Sequence, residues 1–311
     1  MLPIEGYVTT DDGVRLFFQQ LGSGRQTVIV ANAIYLFDDF KRLASEDRTV
    51  IFYDPRNRGR SHPARDDSRP KRGIHDDVDD LEVVRRHFGA DKVDLIGHSY
   101  LGMMVALYAM KYPTHARRVV QIGPAQPNAS KRYPPHLVFA DATLTDVSSQ
   151  LAQLRFDIRT DDPQQFCRKW WSLARTLFVA DPADAEKLKH WGFCDMPNEL
   201  NFMKHWLENV APSIQNLALT AADFEKAQAQ VLTVHGTKDR QVPYGGGREW
   251  ALLLPDARLL TVANAAHAPW VEAPQDVFGA IETFLAGSWP TEAHKVSVLD
   301  PTEESKPRSL G

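Results

Sequence analysis

The sequence predicts an α/β protein with a mostly parallel sheet covered by helices on both faces. Short apolar runs, typical of strands buried on both faces, alternate with helical patterns through the first half of the chain. A block with helical patterns only then interrupts this alternation, which resumes towards the C-terminal end. The length of 311 residues suits two units, or one large unit with an insertion.

The first half contains five predicted strands and two predicted helices. The strands are placed at 14–21, 27–31, 48–53, 93–96 and 119–122. One helix covers 74–88, with apolar side chains at helical spacing and a glycine directly after it. The other covers 99–112, is strongly apolar and is closed by a proline. This order is typical of parallel strands joined by helical crossovers.

The interrupting block runs from about 124 to 230 and is rich in Trp and Phe. The alternation resumes at 231–235 and continues through 250–254, 258–262 and 277–285. Beyond these segments the chain is polar and contains three prolines, so we expect residues 288–311 to be disordered.

Composition excludes several classes of protein. The formal net charge is −4, which gives no global attraction to nucleic acid or acidic lipid. The two cysteines, Cys167 and Cys194, are too few for a disulfide framework, and we expect free thiols in a reducing compartment. Neither a signal peptide nor an apolar run of membrane-spanning length is visible. These observations predict a soluble cytoplasmic protein, monomeric or homodimeric.

The most informative segment is 94–104, where a predicted buried strand runs directly into an apolar helix. Ser99 stands at the junction, with Gly97 two residues before it. A sharp strand-to-helix turn forces such a serine into a strained conformation and lifts its hydroxyl above the sheet. The helix N-terminus then offers free N–H groups to a developing oxyanion. The segment resembles the nucleophile elbow of the α/β-hydrolase superfamily.

The resemblance extends to two later loops, in the family's chain order of serine, acid and histidine. Asp239 follows the predicted strand at 231–235 and looks like the acid of the family. His267 lies in a loop that resembles the catalytic histidine loop. The implied roles are Ser99 as nucleophile, His267 as the base that takes its proton, and Asp239 as the acid that fixes the imidazole tautomer. The loop at 123–130, the other place where such folds carry an acid, has no Asp or Glu.

Two positions depart from the family's pattern. The elbow of the family reads Gly-x-Ser-x-Gly, and here Leu101 replaces the final glycine. Relatives usually carry His-Gly after the third strand, where this chain reads Asn32-Ala33. Since backbone donors tolerate a change of side chain, we expect the amides of Ile34 and Tyr100 to form the oxyanion hole.

The resemblance covers about residues 6–287 and implies an α/β-hydrolase fold with a mostly parallel eight-stranded sheet. It assigns 1–123 and 231–287 to the core and 124–230 to an inserted all-helical cap. The turn at 54–61 and the cap are most similar to the proline-iminopeptidase-like group, although that group's His-Gly-Gly-Pro-Gly stretch is absent. We interpret the turn as structural.

The leading hypothesis is a serine hydrolase that cleaves a small ester or other acyl compound through an acyl-enzyme. The alternatives are a proline-iminopeptidase-like aminopeptidase, a carbon–carbon bond hydrolase with the same triad, and a non-catalytic binding protein that kept the fold. Candidate substrate-binding residues are Tyr35, Trp170, Trp206 and Trp270. We expect His98, beside the nucleophile, to have a supporting role at most and His235 to be structural. No metal or organic cofactor is implied, because no ligand cluster or dinucleotide fingerprint is visible.

Overall fold

The computed structural model describes residues 2–62, 71–156, 163–188 and 193–303, which form a nine-stranded sheet with flanking helices. The strands are β1 (Ile4–Thr9), β2 (Arg15–Leu21), β3 (Gln26–Ala31), β4 (Arg48–Tyr53), β5 (Val93–His98), β6 (Ala116–Ile122), β7 (Gln230–Gly236), β8 (Ala257–Val262) and β9 (Ala293–His294). Their order is β1-β2-β4-β3-β5-β6-β7-β8-β9. The pairs from β4 to β8 are parallel, and the outer pairs are antiparallel. The predicted fold class is confirmed, with nine strands in place of eight.

Two apolar cores lie on opposite faces of this sheet. The helices are α1 (Ala33–Phe40), α2 (Ile74–His87), α3 (Tyr100–Lys111), α4 (Ala142–Phe156), α5 (Pro163–Ala174), α6 (Glu199–His205), α7 (Ala211–Gln215), α8 (Ala221–Phe224), α9 (Tyr244–Leu253), α10 (Pro269–Glu272) and α11 (Pro274–Leu285). Helices α2, α3 and α9 pack in one core, and α1 and α11 pack in the other. None of the described helices is both long and apolar enough to cross a membrane.

Helices α4 to α8 lie between β6 and β7, in the segment that the sequence predicts as a cap. A turn of π-helix, Trp206–Val210, joins α6 to α7. Such π-turns inside α-helices occur frequently at functional sites, because they shift the side chains that follow around the helix axis.

The polar segment after residue 287 is ordered as far as Glu303, contrary to our prediction. Ala293 belongs to β9, which pairs with β8, and its side chain is buried. Trp289 packs on Phe284 with the ring centroids 4.9 Å apart. The prediction failed because a few apolar side chains suffice to anchor a polar segment to a sheet edge. Residues 304–311 lie outside the described part of the chain.

The prediction of two free thiols is wrong. Cys167 on α5 and Cys194 form a disulfide within the cap, although the two are separated by 27 positions along the chain. Spacing alone could not reveal this pair, because a disulfide requires two Cβ atoms to meet in space. A disulfide is also more typical of an oxidising compartment than of the reducing one that we expected.

Reduction of this disulfide is expected to destabilise the cap. Releasing a loop closed over 27 positions lowers the free energy of unfolding by about 3 to 4 kcal/mol in the chain-entropy description. Urea unfolding with and without dithiothreitol, followed by tryptophan fluorescence, measures this change. The Cys167→Ser/Cys194→Ser variant should unfold like the reduced protein and ignore the reductant. Equal unfolding free energies for the oxidised and fully reduced protein would contradict the prediction.

Candidate active site

Ser99 occupies a strained turn between β5 and α3. Its φ of 60° and ψ of −130° lie in a region that side-chain-bearing residues rarely adopt. Its N–H donates to the carbonyl of Ile122 at 2.9 Å, which fixes the turn against β6. A Cβ on Gly97 would lie 2.1 Å from the carbonyl oxygen of Leu101, so only glycine fits there. Leu101 itself is fully buried, and the elbow keeps its strain despite this departure from the family's pattern.

The predicted acid and base are hydrogen-bonded to each other. Asp239 follows β7 and His267 follows β8, and Nδ1 of His267 lies 2.7 Å from Oδ2 of Asp239. Oδ1 of Asp239 accepts the N–H groups of Gln241 and Val242 at 2.8 and 2.9 Å. Both partners of the pair are buried, so the hydrogen bond is shielded from water. Because Nδ1 of His267 faces Asp239, Nε2 is the ring nitrogen that points away from the acid.

No direct hydrogen bond joins the side chain of Ser99 to His267 in the described part of the chain. Within the described residues, Oγ of Ser99 has no hydrogen-bond partner. Ser99 and His267 nevertheless border the same loop after β6, since Ala125 donates its N–H to the Ser99 carbonyl at 3.1 Å. A Cβ on Gly123 in that loop would lie 3.0 Å from Nδ1 of His267. Catalytic hydrogen bonds are often long before substrate binds and tighten in the complex.

His235 also contacts the acid, a role that we did not predict from the sequence. Its Nε2 lies 3.2 Å from Oδ2 of Asp239, and both groups are fully buried. Burial raises the pKa of Asp239, but the charges and hydrogen bonds of His267 and His235 outweigh it and hold that pKa well below its usual range. The acid therefore stays ionised at neutral pH. The sequence could have indicated this contact, because His235 and Asp239 are four residues apart across the turn after β7.

His98 braces the loop that carries His267 and is more than a core residue. Its Nε2 lies 2.8 Å from the carbonyl of His267, and its Nδ1 lies 3.1 Å from the hydroxyl of Tyr35. Burial, with a smaller contribution from His267, lowers the pKa of His98 well below its usual value. The neutral ring therefore donates from Nε2 to His267 and accepts from Tyr35 at Nδ1. This arrangement fixes the backbone that carries the base.

A cavity of about 190 Å³ lies between the helical segment after β6 and the sheet, with Ser99 in its wall. Tyr35, Trp170 and Trp206 line it, as do other aromatic residues of the cap. Trp270 does not line it, contrary to our prediction. Its side chain is 1% exposed, packs against Phe40 in the core, and donates its indole N–H to Asp39. An aromatic residue close to His267 in the sequence can belong either to the cavity wall or to the apolar core, and sequence alone does not distinguish these positions.

The predicted oxyanion-hole residues lie at two helix N-termini. Ile34 is in the first turn of α1, and Tyr100 is the first residue of α3. First-turn N–H groups have no acceptor within their own helix. The two helices begin at the ends of neighbouring parallel strands, β3 and β5. Asn32, just before α1, has a left-handed φ of 128°, and its buried side-chain amide has no hydrogen-bond partner among the described residues.

Replacing Gly123 with alanine is expected to disturb the acid–base pair. Besides its contact with His267, the new Cβ would lie 3.3 Å from Oδ2 of Asp239, and the φ of +48° adds backbone strain. Small misplacements of this kind cost up to about 100-fold in rate, and we expect kcat to fall at least tenfold. Gly89→Ala is the matched control, because its φ is +61° and nothing lies within 4 Å of the added Cβ. It should lower the melting temperature without lowering kcat. An unchanged kcat for Gly123→Ala would contradict the prediction.

Comparison with known proteins identifies the fold family of this chain. A family model for the alpha/beta hydrolase fold matches residues 31–274. A proline iminopeptidase of Thermoplasma volcanium is 38% identical over 82 residues, which is 26% of this chain and 27% of that relative. This match therefore spans about a quarter of each protein. A bifunctional esterase/perhydrolase of Acinetobacter calcoaceticus is 25% identical over 86% of this chain and 95% of its own length.

The fold is also found among solved structures. An esterase from Exiguobacterium antarcticum superimposes with a TM-score of 0.70 at 17% identity, covering 91% of this chain and all of its own. The segment matched by the family model includes the serine elbow, the acid loop and the histidine loop. The chain belongs to the alpha/beta hydrolase fold family.

Proposed function

We propose that the protein is a serine hydrolase that cleaves a small ester through an acyl-enzyme intermediate. The observation that carries the proposal is the buried hydrogen bond of 2.7 Å between His267 and Asp239, beside the strained elbow of Ser99. An ionised, buried acid that holds a histidine near a serine in a cavity wall is the arrangement that activates a hydroxyl nucleophile.

In the proposed reaction, Nε2 of His267 takes the proton of Ser99 as the hydroxyl attacks the ester carbonyl. The resulting tetrahedral intermediate collapses, and His267 returns the proton to the departing alcohol. Water then attacks the acyl-enzyme while His267 takes its proton. The carboxylic acid product leaves as His267 returns that proton to Oγ of Ser99. Asp239 stays ionised and stabilises the imidazolium formed in each half of the cycle.

The amides of Ile34 and Tyr100 are the proposed donors to the oxyanion. Each donor of this kind lowers the barrier by about 3 kcal/mol when it is aimed at the developing charge. The position of both amides in first helical turns supports the assignment, since these N–H groups are available and lie at the positive end of a helix dipole.

The cavity favours an ester over the amino terminus of a peptide. An aminopeptidase needs carboxylates to hold the substrate's ammonium group, and the described lining residues include none. Three cap carboxylates, Asp195, Glu199 and Glu208, are candidates for that task from the sequence. Asp195 pairs with Arg168 at the surface, and Glu208 is exposed. The side chain of Glu199 lies outside the described residues.

The test compares a short-chain aryl ester, a proline arylamide and a fluorophosphonate probe on the purified protein. We expect ester hydrolysis and covalent labelling that is blocked by prior incubation with the ester. Cleavage of the proline arylamide in preference to the ester would favour the aminopeptidase alternative. Absence of both labelling and turnover would favour a non-catalytic binding protein and overturn the proposal.

A further inference from the structure

The disulfide between Cys167 and Cys194 joins two segments that both border the cavity beside Ser99. Cys167 lies on α5, and Cys194 lies in a short 3₁₀ turn, Phe193–Asp195, that precedes α6. The cavity residues on α5 are Phe166, Trp170 and Trp171, which we name the α5 wall. The cavity residues on α6 and the π-turn are Phe202, Met203, Trp206 and Leu207, which we name the α6 wall. The disulfide therefore ties one wall to the segment that leads into the other.

The α6 wall is fixed to the core independently of the disulfide. Asn198, the residue before α6, donates its side-chain N–H groups to the carbonyls of Gly59 and Ser61 at 3.2 and 2.7 Å. Trp206 packs on the ring of Tyr100 with the centroids 5.0 Å apart, and Tyr100 is the first residue of α3. These contacts hold the α6 wall in place whether or not the disulfide is present.

The chain that follows the C-terminal end of α5 is also fixed to the core. The carbonyl of Phe178 accepts the N–H of Ala268 at 2.8 Å. The guanidinium of Arg240 donates to the carbonyls of Val179 and Ala180 at 2.6 and 2.9 Å. Both donors lie in the loops of the proposed acid and base. This end of the helix therefore keeps its position when the disulfide is broken.

The disulfide is the covalent tie in the first half of α5. Cys167 is next to Phe166 and one helical turn before Trp170, so these side chains move with it. An ion pair between Arg168 and Asp195 also joins α5 to the turn before α6, but the two side chains are 61% and 70% exposed. Exposed ion pairs contribute less than about 1 kcal/mol. Loss of the disulfide therefore weakens the hold on this half of the helix.

We propose that the disulfide sets the upper size limit of the substrate by holding the first half of α5 against the cavity. When the disulfide is reduced, the α5 wall moves outward and the site accepts bulkier esters. The inference rests on the proposed hydrolase function and adds a determinant of its substrate range. Asp239 and His267 lie in loops of the core and keep their hydrogen bond, so hydrolysis of a small ester should change less.

A dithiol can reach the disulfide from the side of Cys194. Cys194 is half-buried, whereas Cys167 is 1% exposed. A thiolate of dithiothreitol attacks the sulfur of Cys194, and Cys167 leaves as a thiolate. The second thiol of the reductant then displaces Cys194. The protein gains two electrons and ends with two thiols, and dithiothreitol becomes a cyclic disulfide.

The experiment compares the 4-nitrophenyl esters of acetic acid and of 3,3-diphenylpropanoic acid on oxidised and reduced protein. Titration of free thiols confirms each redox state, and circular dichroism confirms that the protein is folded. The ratio of kcat/KM for the bulky ester to that for the acetate should rise about tenfold on reduction, since a close-fitting apolar pocket discriminates single methylene groups to that extent. The Cys167→Ser/Cys194→Ser variant should show the higher ratio with or without dithiothreitol.

Two further variants locate the movement. Trp170→Ala removes bulk from the α5 wall, so it should raise the ratio in the oxidised protein and leave little for reduction to add. Met203→Ala is the matched control, because it widens the cavity from the α6 wall, which the disulfide does not hold. It should keep the full response to reduction. An equal response to reduction in both variants would place the movement elsewhere and overturn the inference.

A ratio that does not rise on reduction would overturn the inference, whether both activities stay the same or both fall equally. Equal loss is the result expected if the disulfide only stabilises the fold. If the double serine variant does not fold, reduction of the wild-type protein decides. Failure of the oxidised wild-type protein to hydrolyse either ester would instead count against the hydrolase function.

Discussion

Replacing Ser99 with alanine is expected to lower kcat for ester hydrolysis by at least about 10⁴-fold while leaving the fold intact. In the proposed mechanism the triad acts as a unit, so removal of the nucleophile eliminates the acyl-enzyme route and leaves only the residual effect of binding and oxyanion stabilisation. The side chain of Ser99 makes no capping hydrogen bond to α3, so alanine removes no structural contact. The free energy of unfolding should therefore change by less than about 0.5 kcal/mol.

A second substitution at this position separates catalysis from stability. Ser99→Gly should be as inactive as Ser99→Ala but more stable than it by about 1 kcal/mol, because glycine adopts the φ of 60° without strain. Urea unfolding and steady-state kinetics measure the two quantities independently. Ser288→Ala, at an exposed position, is the control and should match the wild type in both. Residual activity above about 1% in Ser99→Ala would rule out Ser99 as the nucleophile.

Most of the sheet could be predicted because its strands are buried on both faces. The segment 48–53 was predicted with the bounds that β4 has, since a short, unbroken apolar run in an α/β chain is typical of a central strand. Strands β1 and β9 escaped prediction. β1 is largely exposed, and β9 is two residues long in a polar segment, so neither has an apolar pattern.

The residues of the candidate site could be predicted where a motif determines the backbone conformation. They could not be predicted where a role depends only on contacts between side chains. Gly97 before the elbow serine and the loops after β7 and β8 reflect backbone geometry, which sequence spacing records. The contacts of His235 with the acid and of His98 with His267 depend on which loops meet above the sheet.

His98 and His267 lie close together but differ in their surroundings. His98 is held neutral and supports the base through the backbone, whereas His267 is hydrogen-bonded to an ionised partner and is able to accept a proton. In the proposed mechanism, His267 is the base and Asp239 is the charge that orients it.

Replacing Asp239 with asparagine is expected to lower kcat by about 10⁴-fold, because it reverses the tautomer of the base. The carboxylate accepts three hydrogen bonds, two from the N–H groups of Gln241 and Val242 and one from His267, and Nε2 of His235 lies 3.2 Å from Oδ2. Asparagine has one oxygen, which the backbone donors would retain, so its NH₂ group would face His267. Nδ1 would then have to accept, and the ring proton would move to Nε2, where it blocks attack by Ser99.

His235→Gln is the control that separates loss of the acid from loss of one of its neighbours. It leaves the hydrogen bond between His267 and Asp239 in place, so kcat should fall less than about tenfold. Steady-state kinetics with an aryl ester measure both variants. If Asp239→Asn retained more than a tenth of the wild-type kcat, Asp239 would not be the acid of the triad.

Asp239→Asn should also change how the stability of the protein depends on pH. The folded-state pKa of Asp239 lies below its unfolded value of about 3.9, so the ionised group stabilises the fold above pH 4, and this contribution is lost only as the pH falls further. Asparagine cannot ionise, and Asp239→Asn should be less stable than wild type by about 1 to 3 kcal/mol at pH 7. The difference should persist to about pH 4 and shrink only below it. Urea unfolding at several pH values checks this, and a difference that vanished between pH 7 and 5 would mean that the carboxyl group is protonated in the folded protein and cannot hold His267 as a base.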